Sequence, residues 1–330
     1  MKKSLFVGCL VFLLAGCSGQ KPSATAAKTD GSSNSTQLAQ TKQSANTPSA
    51  AQSNVQLISQ GAEPRQKLRF TPPANAKQTV QMTMKMNMAM SVAGQTQPTF
   101  NSPPIKMTMQ TEVTKVDDNG DIHANFSYTD ADIVAQGGDM PPQALEAMRA
   151  QLKKLVGLRG SMVVDNQGNT KDVNLDLPEE LEPNSKQMVQ QTVNSLKQIS
   201  SPVPTEPVGV GATWKVPNKV TLNGMTLNQV ATYELVGLKD NVATLQVSME
   251  QQAEGQKLNP PGLPPGASID LKSMNSQGQG KIEMAMNKIM PIDSNISMTS
   301  NMEMMVKDPN NQQQTTMGMK STTEISLESN

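Results

Sequence analysis

From Val80 to Val92 apolar and polar residues alternate without a break. Val80, Met82, Met84, Met86, Met88, Met90 and Val92 take one face, while Gln81, Thr83, Lys85, Asn87, Ala89 and Ser91 take the other. A period of two is the signature of a half-buried strand and not of a helix. The same spacing recurs at Ile105, Met107, Met109 and Val113, and at Ile122, Ala124, Phe126 and Tyr128 after the turn DDNGD. It returns at Ile282, Met284 and Met286, at Ile296, Met298, Met302, Met304 and Val306, and at Met317, Met319, Ile325 and Leu327. The residues between them are almost all polar, so the pattern predicts one large antiparallel sheet with an apolar side and a wet side.

Two segments depart from this period. PPQALEAMRAQLKKLVG (141–157) spaces Leu145, Met148, Leu152 and Leu155 by three and four, with prolines at its start and Gly157 at its end. EPNSKQMVQQTVNSLKQIS (182–200) does the same with Met188, Thr192, Val193, Leu196 and Ile199. Each predicts an amphipathic helix whose one apolar stripe needs a cover. The expected fold class is therefore α+β: a long, curved, half-barrel-like antiparallel sheet with two amphipathic helices on its concave face. An internal duplication is also suggested. VTKVDDNGDIHANFSYTDADI and YELVGLKDNVATLQVSMEQQ share a strand, a charged turn and a strand, and each is followed by a glycine-led hairpin, GSMVVDNQGNTKDVNL and GQGKIEMAMNKIMPIDSNISM. The halves would be 67–199 and 200–330, joined at a Pro- and Gly-rich stretch that carries the single tryptophan, Trp214.

The first residues, MKKSLFVGCLVFLLAGC, place Lys2 and Lys3 before an apolar run too short to span a bilayer and end in small residues and a cysteine. That is a secretory signal, expected over 1–16. LAGC resembles the lipobox of bacterial lipoproteins, in which the cysteine, here Cys17, is acylated and becomes the first residue of the mature chain. Several acyl chains give stable membrane anchoring, at about 0.8 kcal/mol per buried CH₂. Ser18 stands where Asp would signal retention, so the resemblance implies the outer membrane in a Gram-negative envelope. Residues 17–66 hold few large apolar side chains and predict a lipidated, disordered tether ahead of a β-rich body at 67–330. The two cysteines are Cys9 and Cys17, so a processed body has no disulfide. Lys plus Arg balance Asp plus Glu at 28 each, and loss of Lys2 and Lys3 with the signal leaves a small negative excess. Such a chain is no electrostatic binder of nucleic acid.

PVGVGATWKV, followed by a strand, a KDNVATLQV hairpin and a GQGKIEM…PIDSNISM hairpin, resembles an uncharacterised family of secreted bacterial lipoproteins, a domain of unknown function. The plan of a lipid-anchored half-barrel with helices over its mouth is similar to that of lipoprotein-carrier and mycobacterial lipid-carrier proteins. The resemblance is architectural, and architecture does not fix function.

The chain has 24 methionines against 2% aromatic residues, which leaves three readings of the methionine face. Methionine can substitute in the core for Leu, Ile and Phe, can line a face that adapts to an apolar ligand, or can hold Cu(I) or Ag(I) through its thioethers. Residues on the same face of one strand lie about 7 Å apart, too far for neighbours to share an ion unless an adjacent strand contributes. No metal site or cofactor is therefore assigned. Met82, Met84, Met86, Met88, Met90, Met107, Met109, Met284, Met286, Met298, Met302 and Met304 are the expected lining of an apolar-ligand face that takes a lipid or acyl chain. The second expectation is a packed structural lipoprotein with an envelope protein partner. Catalysis is not expected: there is one histidine, His123, no cysteine after Cys17 and no G-x-S-x-G elbow. The acidic pairs at 117–118, 130 and 132, and 179–182 fall in turns or at helix starts.

Overall fold

The computed structural model describes residues 55–134, 138–176, 202–222, 225–258, 263, 266–308 and 313–330. Within them the alternating runs form strands. Those of the first part are β1 (Gln56–Ser59), β2 (Lys77–Val92), β3 (Gln95–Thr96), β4 (Phe100–Asn101), β5 (Ile105–Val116), β6 (Ile122–Ile133), β7 (Arg159–Val164) and β8 (Thr170–Asp176). The second part adds β9 (Thr213–Leu222), β10 (Met225–Lys239), β11 (Val242–Ala253), β12 (Gln256–Leu258), β13 (Ser268–Ala285), β14 (Asp293–Lys307) and β15 (Gln314–Ser329). One helix, α1 (Pro142–Lys153), interrupts the first run.

All these strands join one antiparallel sheet, whose main path runs β1-β9-β10-β11-β13-β14-β15-β2-β5-β6-β7-β8, with β12 paired to β13 and the short β3 and β4 paired to β2. Two meanders thus lie side by side, one from β2 to β8 and one from β9 to β15. They meet where β15, last of the described strands, pairs along β2 from Met317 opposite Val92 to Ser329 opposite Val80. Gln78 fastens that seam. Its buried amide donates to Met290 O at 2.9 Å and Ser329 Oγ at 2.7 Å, and its Oε1 accepts from Met290 N–H at 3.2 Å. Among the described residues the sheet is open, with β1 and β8 at its edges. β1 uses residues that the sequence reading puts in the tether. Gln56–Ser59 has only two apolar residues, and its order comes from backbone pairing with β9.

The main core lies at one end of both meanders. Trp214, Tyr233, Leu235, Leu245 and Ile282 of the second meet Val113 and Ile122 of the first, with Leu68, Phe70, Val203 and Val208 between them. Two strips lace this end together. Phe70 N–H donates to Asn166 O, Thr71 N–H to Met286 O, and Val203 N–H to Gln167 O. Arg69 donates to Pro204 O and Thr205 O, each at 2.8 Å, and partial burial lowers its pKa. Gly209 is the close approach in this lacing, since a Cβ there would lie 1.8 Å from Ala62 O.

Two local irregularities recur in the meanders. The register of β5 on β6 slips between Val113 and Lys115, and that of β10 on β11 between Leu235 and Gly237. Counting from these bulges, Phe126 matches Val247, and each faces a glycine, Gly160 or Gly280. A Cβ on either glycine would lie 2.3 Å from an asparagine carbonyl of the next strand, Asn174 O or Asn295 O. The hairpin after the second bulge turns at Asp240 and Asn241, with φ of 50° and 61°, the left-handed pair that a two-residue hairpin needs.

The α+β expectation with two helices on a concave face is overturned. The described residues are mostly β, and their one helix buries no residue. Its stripe, Leu145, Met148, Leu152 and Leu155, is half-buried. The docking on β6 is ionic: Arg149 Nε lies 2.8 Å from Asp132 Oδ1, and Lys153 Nζ 3.2 Å from Asp130 and 3.4 Å from Asp132. Three of these residues fall within the 12-residue helix and Leu155 just beyond it, and the stripe is met here by a charged strand end. The second expected helix, 182–200, lies outside the described residues. Asp132 is held below the usual carboxylate range by the Ile133 N–H and then by Arg149. A depressed carboxylate contributes stability that is present above its ordinary pKa, about 3.9, and is lost as pH falls through the folded value. Hydrogen exchange corrected for intrinsic rates is therefore expected to show α1 losing protection below about pH 4 before the sheet does. Asp132→Asn is expected to reproduce the loss at neutral pH, and protection in α1 that follows the sheet at every pH would refute this.

Candidate functional site

The register turns the methionine runs into rows. On the apolar face of β14, β15 and β2, one row reads Ile296, Ile325, Met84 and continues to Ile105 on β5. The next reads Met298, Thr323, Met86. Further toward the far end, Met274 pairs with Met302, Met302 with Met319, and Met319 with Met90, a methionine on each of four adjacent strands. The last row holds Leu271, Met304, Met317 and Val92. Toward the core, Met82 stands between Leu327 and Met107.

Burial along this face is uneven. Met284 and Met286 belong to the main core and Met304 to a smaller cluster with Leu227 and Leu271. Met82, Met84, Met86, Met88, Met90, Met298 and Met302 are half-buried, as are Met317, Met319, Ile325 and Leu327 beside them. Met107 and Met109 are half-buried too, and Met109 packs beside Phe126 and Val173. Of the twelve expected lining residues, the structure thus gives three to the core and leaves nine on a partly open apolar surface. The expectations missed Met274 and Met319, which complete the four-methionine row. Alternation shows which face a residue takes, but not which strand lies beside it.

A polar row crosses the same face. Asn218, Gln229, Gln251, Ser276, Ser300 and Ser321 are consecutive partners on β9, β10, β11, β13, β14 and β15, and Met88 follows on β2. Gln251 Nε2 donates to Gln229 Oε1 at 2.7 Å, and Ser276 Oγ to Ser300 Oγ at 2.7 Å. Gln251 and Ser276 are buried, so these bonds offset desolvation that would otherwise cost about 1–3 kcal/mol per group. The row separates the main core from the Leu227–Leu271–Met304 cluster.

A concavity of about 520 Å³ lies at the far end, lined by Asn275, Asn301, Glu303, Gly318 and Lys320 together with Met90, Met302 and Met319. His123 is the only histidine, and its Nε2 lies 2.7 Å from Asp117 Oδ2, while Lys115 Nζ lies 2.7 Å from Asp117 Oδ1. Lys115 and then His123 hold the Asp117 carboxyl below its usual range. This is a turn-end ion cluster at the rim of the sheet. Among the described residues no group of three or more His, Cys, Asp or Glu side chains is placed to hold a metal ion. Cys17 lies outside the described residues.

Residues 185–288 match a family of unknown function, DUF6263. That stretch takes in β9 to β13, the strands that carry Trp214, Gln229, Gln251, Ser276 and the paired glycines 278 and 280. No curated protein matches the chain.

Proposed function

We propose that this chain is a non-enzymatic lipoprotein of the bacterial cell envelope, acylated at Cys17, that carries an apolar ligand, a lipid or acyl chain, on its methionine-lined sheet face. The observation that supports this most is the run of half-buried Met, Ile and Leu side chains on β14, β15 and β2. Contiguous apolar surface of this kind marks a place where something binds. Methionine suits a ligand of variable shape, because its unbranched thioether repacks at little cost. Each methylene that settles on the face contributes up to about 0.8 kcal/mol before the cost of ordering. The polar row suits the ester or headgroup of an amphiphile whose chain lies toward the far end. The anchor at Cys17 keeps such a protein beside the membrane from which the ligand comes.

The same reading treats β2-β5-β6-β7-β8 and β9-β10-β11-β13-β14 as tandem copies of one unit. The matching bulges and the matching glycine–asparagine contacts support it.

The test is native mass spectrometry of the full chain from an envelope extract, followed by displacement of an apolar fluorescent dye with a fatty acid. A co-purifying lipid mass and displacement are expected. Met86→Asp and Met298→Asp are expected to remove both while circular dichroism stays unchanged. An unliganded mass that persists after incubation with lipid, with no dye displaced, would sink the proposal in favour of a packed structural lipoprotein.

A further inference from the structure

We propose that Met90, Met319 and Met302, flanked by Met274, form a site for one soft monovalent cation, Cu(I) or Ag(I). The inference rests on register and not on the apolar-ligand reading. Two sulfurs sharing an ion through bonds of about 2.3 Å can stand no more than about 4.6 Å apart. Methionines two apart on one strand are separated by about 7 Å at the backbone and diverge from a common point. Directly opposed residues of neighbouring antiparallel strands have Cβ atoms about 4.5–5.5 Å apart, and three rotatable bonds let each thioether close the remainder.

Met319 is opposed on one side by Met90 and on the other by Met302, and Met302 in turn by Met274. Three thioethers can therefore converge above the middle strand, with Met274 beside them. Met304 and Met317, themselves partners, lie two residues along β14 and β15 from Met302 and Met319.

The chemistry of the surroundings agrees. Thioethers are neutral, soft donors that favour Cu(I) over hard cations. The adjoining rows, Ser276–Ser300–Ser321–Met88 and Leu271–Met304–Met317–Val92, carry no charge. By the alternation of the strands Lys320 and Glu303 lie on the other face, so no like charge opposes the ion from within the row. Met90, Met302 and Met319 are half-buried, which leaves a route in from solvent. His123, the imidazole among the described residues, is at the opposite end of the meander and engaged with Asp117.

Titration of the full chain with silver nitrate in chloride-free buffer, read by native mass spectrometry, is expected to give one retained ion per chain. Anaerobic Cu(I) competition against a chromophoric chelator should give the same stoichiometry, with a sulfur-only first shell by X-ray absorption. Met319→Leu and Met302→Leu are near-isosteric, so the sheet is expected to hold. Each should weaken affinity by about tenfold or more, the scale on which metal sites respond to a lost supporting group. Met162→Leu, in a separate cluster, should leave it unchanged. Failure to retain silver or copper would overturn the proposal. So would unchanged affinity in folded Met319→Leu and Met302→Leu, an equal loss in Met162→Leu, or loss of the ion in His123→Asn.

Discussion

Replacing Trp214 with alanine is expected to cost about 3–5 kcal/mol of folding stability. The indole is fully buried and stacks on Tyr233, with ring centroids 5.6 Å apart and planes 16° from parallel. Its Nε1–H donates to Pro202 O at 3.1 Å. Truncation would leave a cavity in the cluster that joins the two meanders and would strip the partner from a buried carbonyl. Against a total of about 5–15 kcal/mol, that leaves a protein near its unfolding threshold. Urea titration followed by far-ultraviolet circular dichroism checks it, since the variant lacks the only tryptophan as a fluorophore. Trp214→Phe keeps a stacking ring but loses the donor, and it should fall between alanine and the parent. A loss below about 1 kcal/mol for alanine would mean that this cluster does not hold the halves together.

The second large effect is a contrast between two glycines in one strand. At Gly280 a Cβ would stand 2.3 Å from Asn295 O and 2.8 Å from both Ile296 Cα and Cγ1. Backbone cannot yield there without parting β13 from β14, so Gly280→Ala is expected to cost about 1–3 kcal/mol or more. Two residues away, at Gly278, the nearest atoms are Ser297 O at 3.3 Å and Met249 Cε at 3.4 Å. One of these is the end of a flexible thioether. Gly278→Ala should lie within about 0.5 kcal/mol of the parent, because reduced freedom of the unfolded chain offsets the tight contact. Gly160→Ala, which meets Asn174 O at 2.3 Å and Phe126 Cζ at 2.6 Å, should behave like Gly280→Ala. Equal costs at 278 and 280 would show that the spacing between β13 and β14 is looser than described.

The strands were legible because alternation is a local property. Val80 to Val92, Ile105 to Val113 and Ile296 to Val306 each declare a period of two, and each is a strand. What joins them is not local. Met90 and Met319 are partners across more than two hundred residues, and nothing in either segment names the other. The four-methionine row was invisible for that reason, and so was the polar row, whose members lie on six strands. Helix α1 was legible as a helix, but its apolar stripe suggested burial that the charged end of β6 supplies only in part. β1 carried no signal because Gln56–Ser59 takes its order from β9. The glycine-led hairpins could be matched by eye, whereas the contact that makes Gly160 and Gly280 necessary appears only once the neighbouring carbonyl is known.

The pairing of β15 with β2 also sets an order of assembly. Among the described strands, the first long one to be made sits in the middle of the finished sheet, and the one that covers its free edge is made after all the others. Until residue 329 is available, β2 presents unpaired backbone and a run of methionines to any other chain nearby. An edge exposed until β15 is made invites pairing in trans. A chain stopped short of β15 is therefore expected to associate with its neighbours more readily than one stopped before β2.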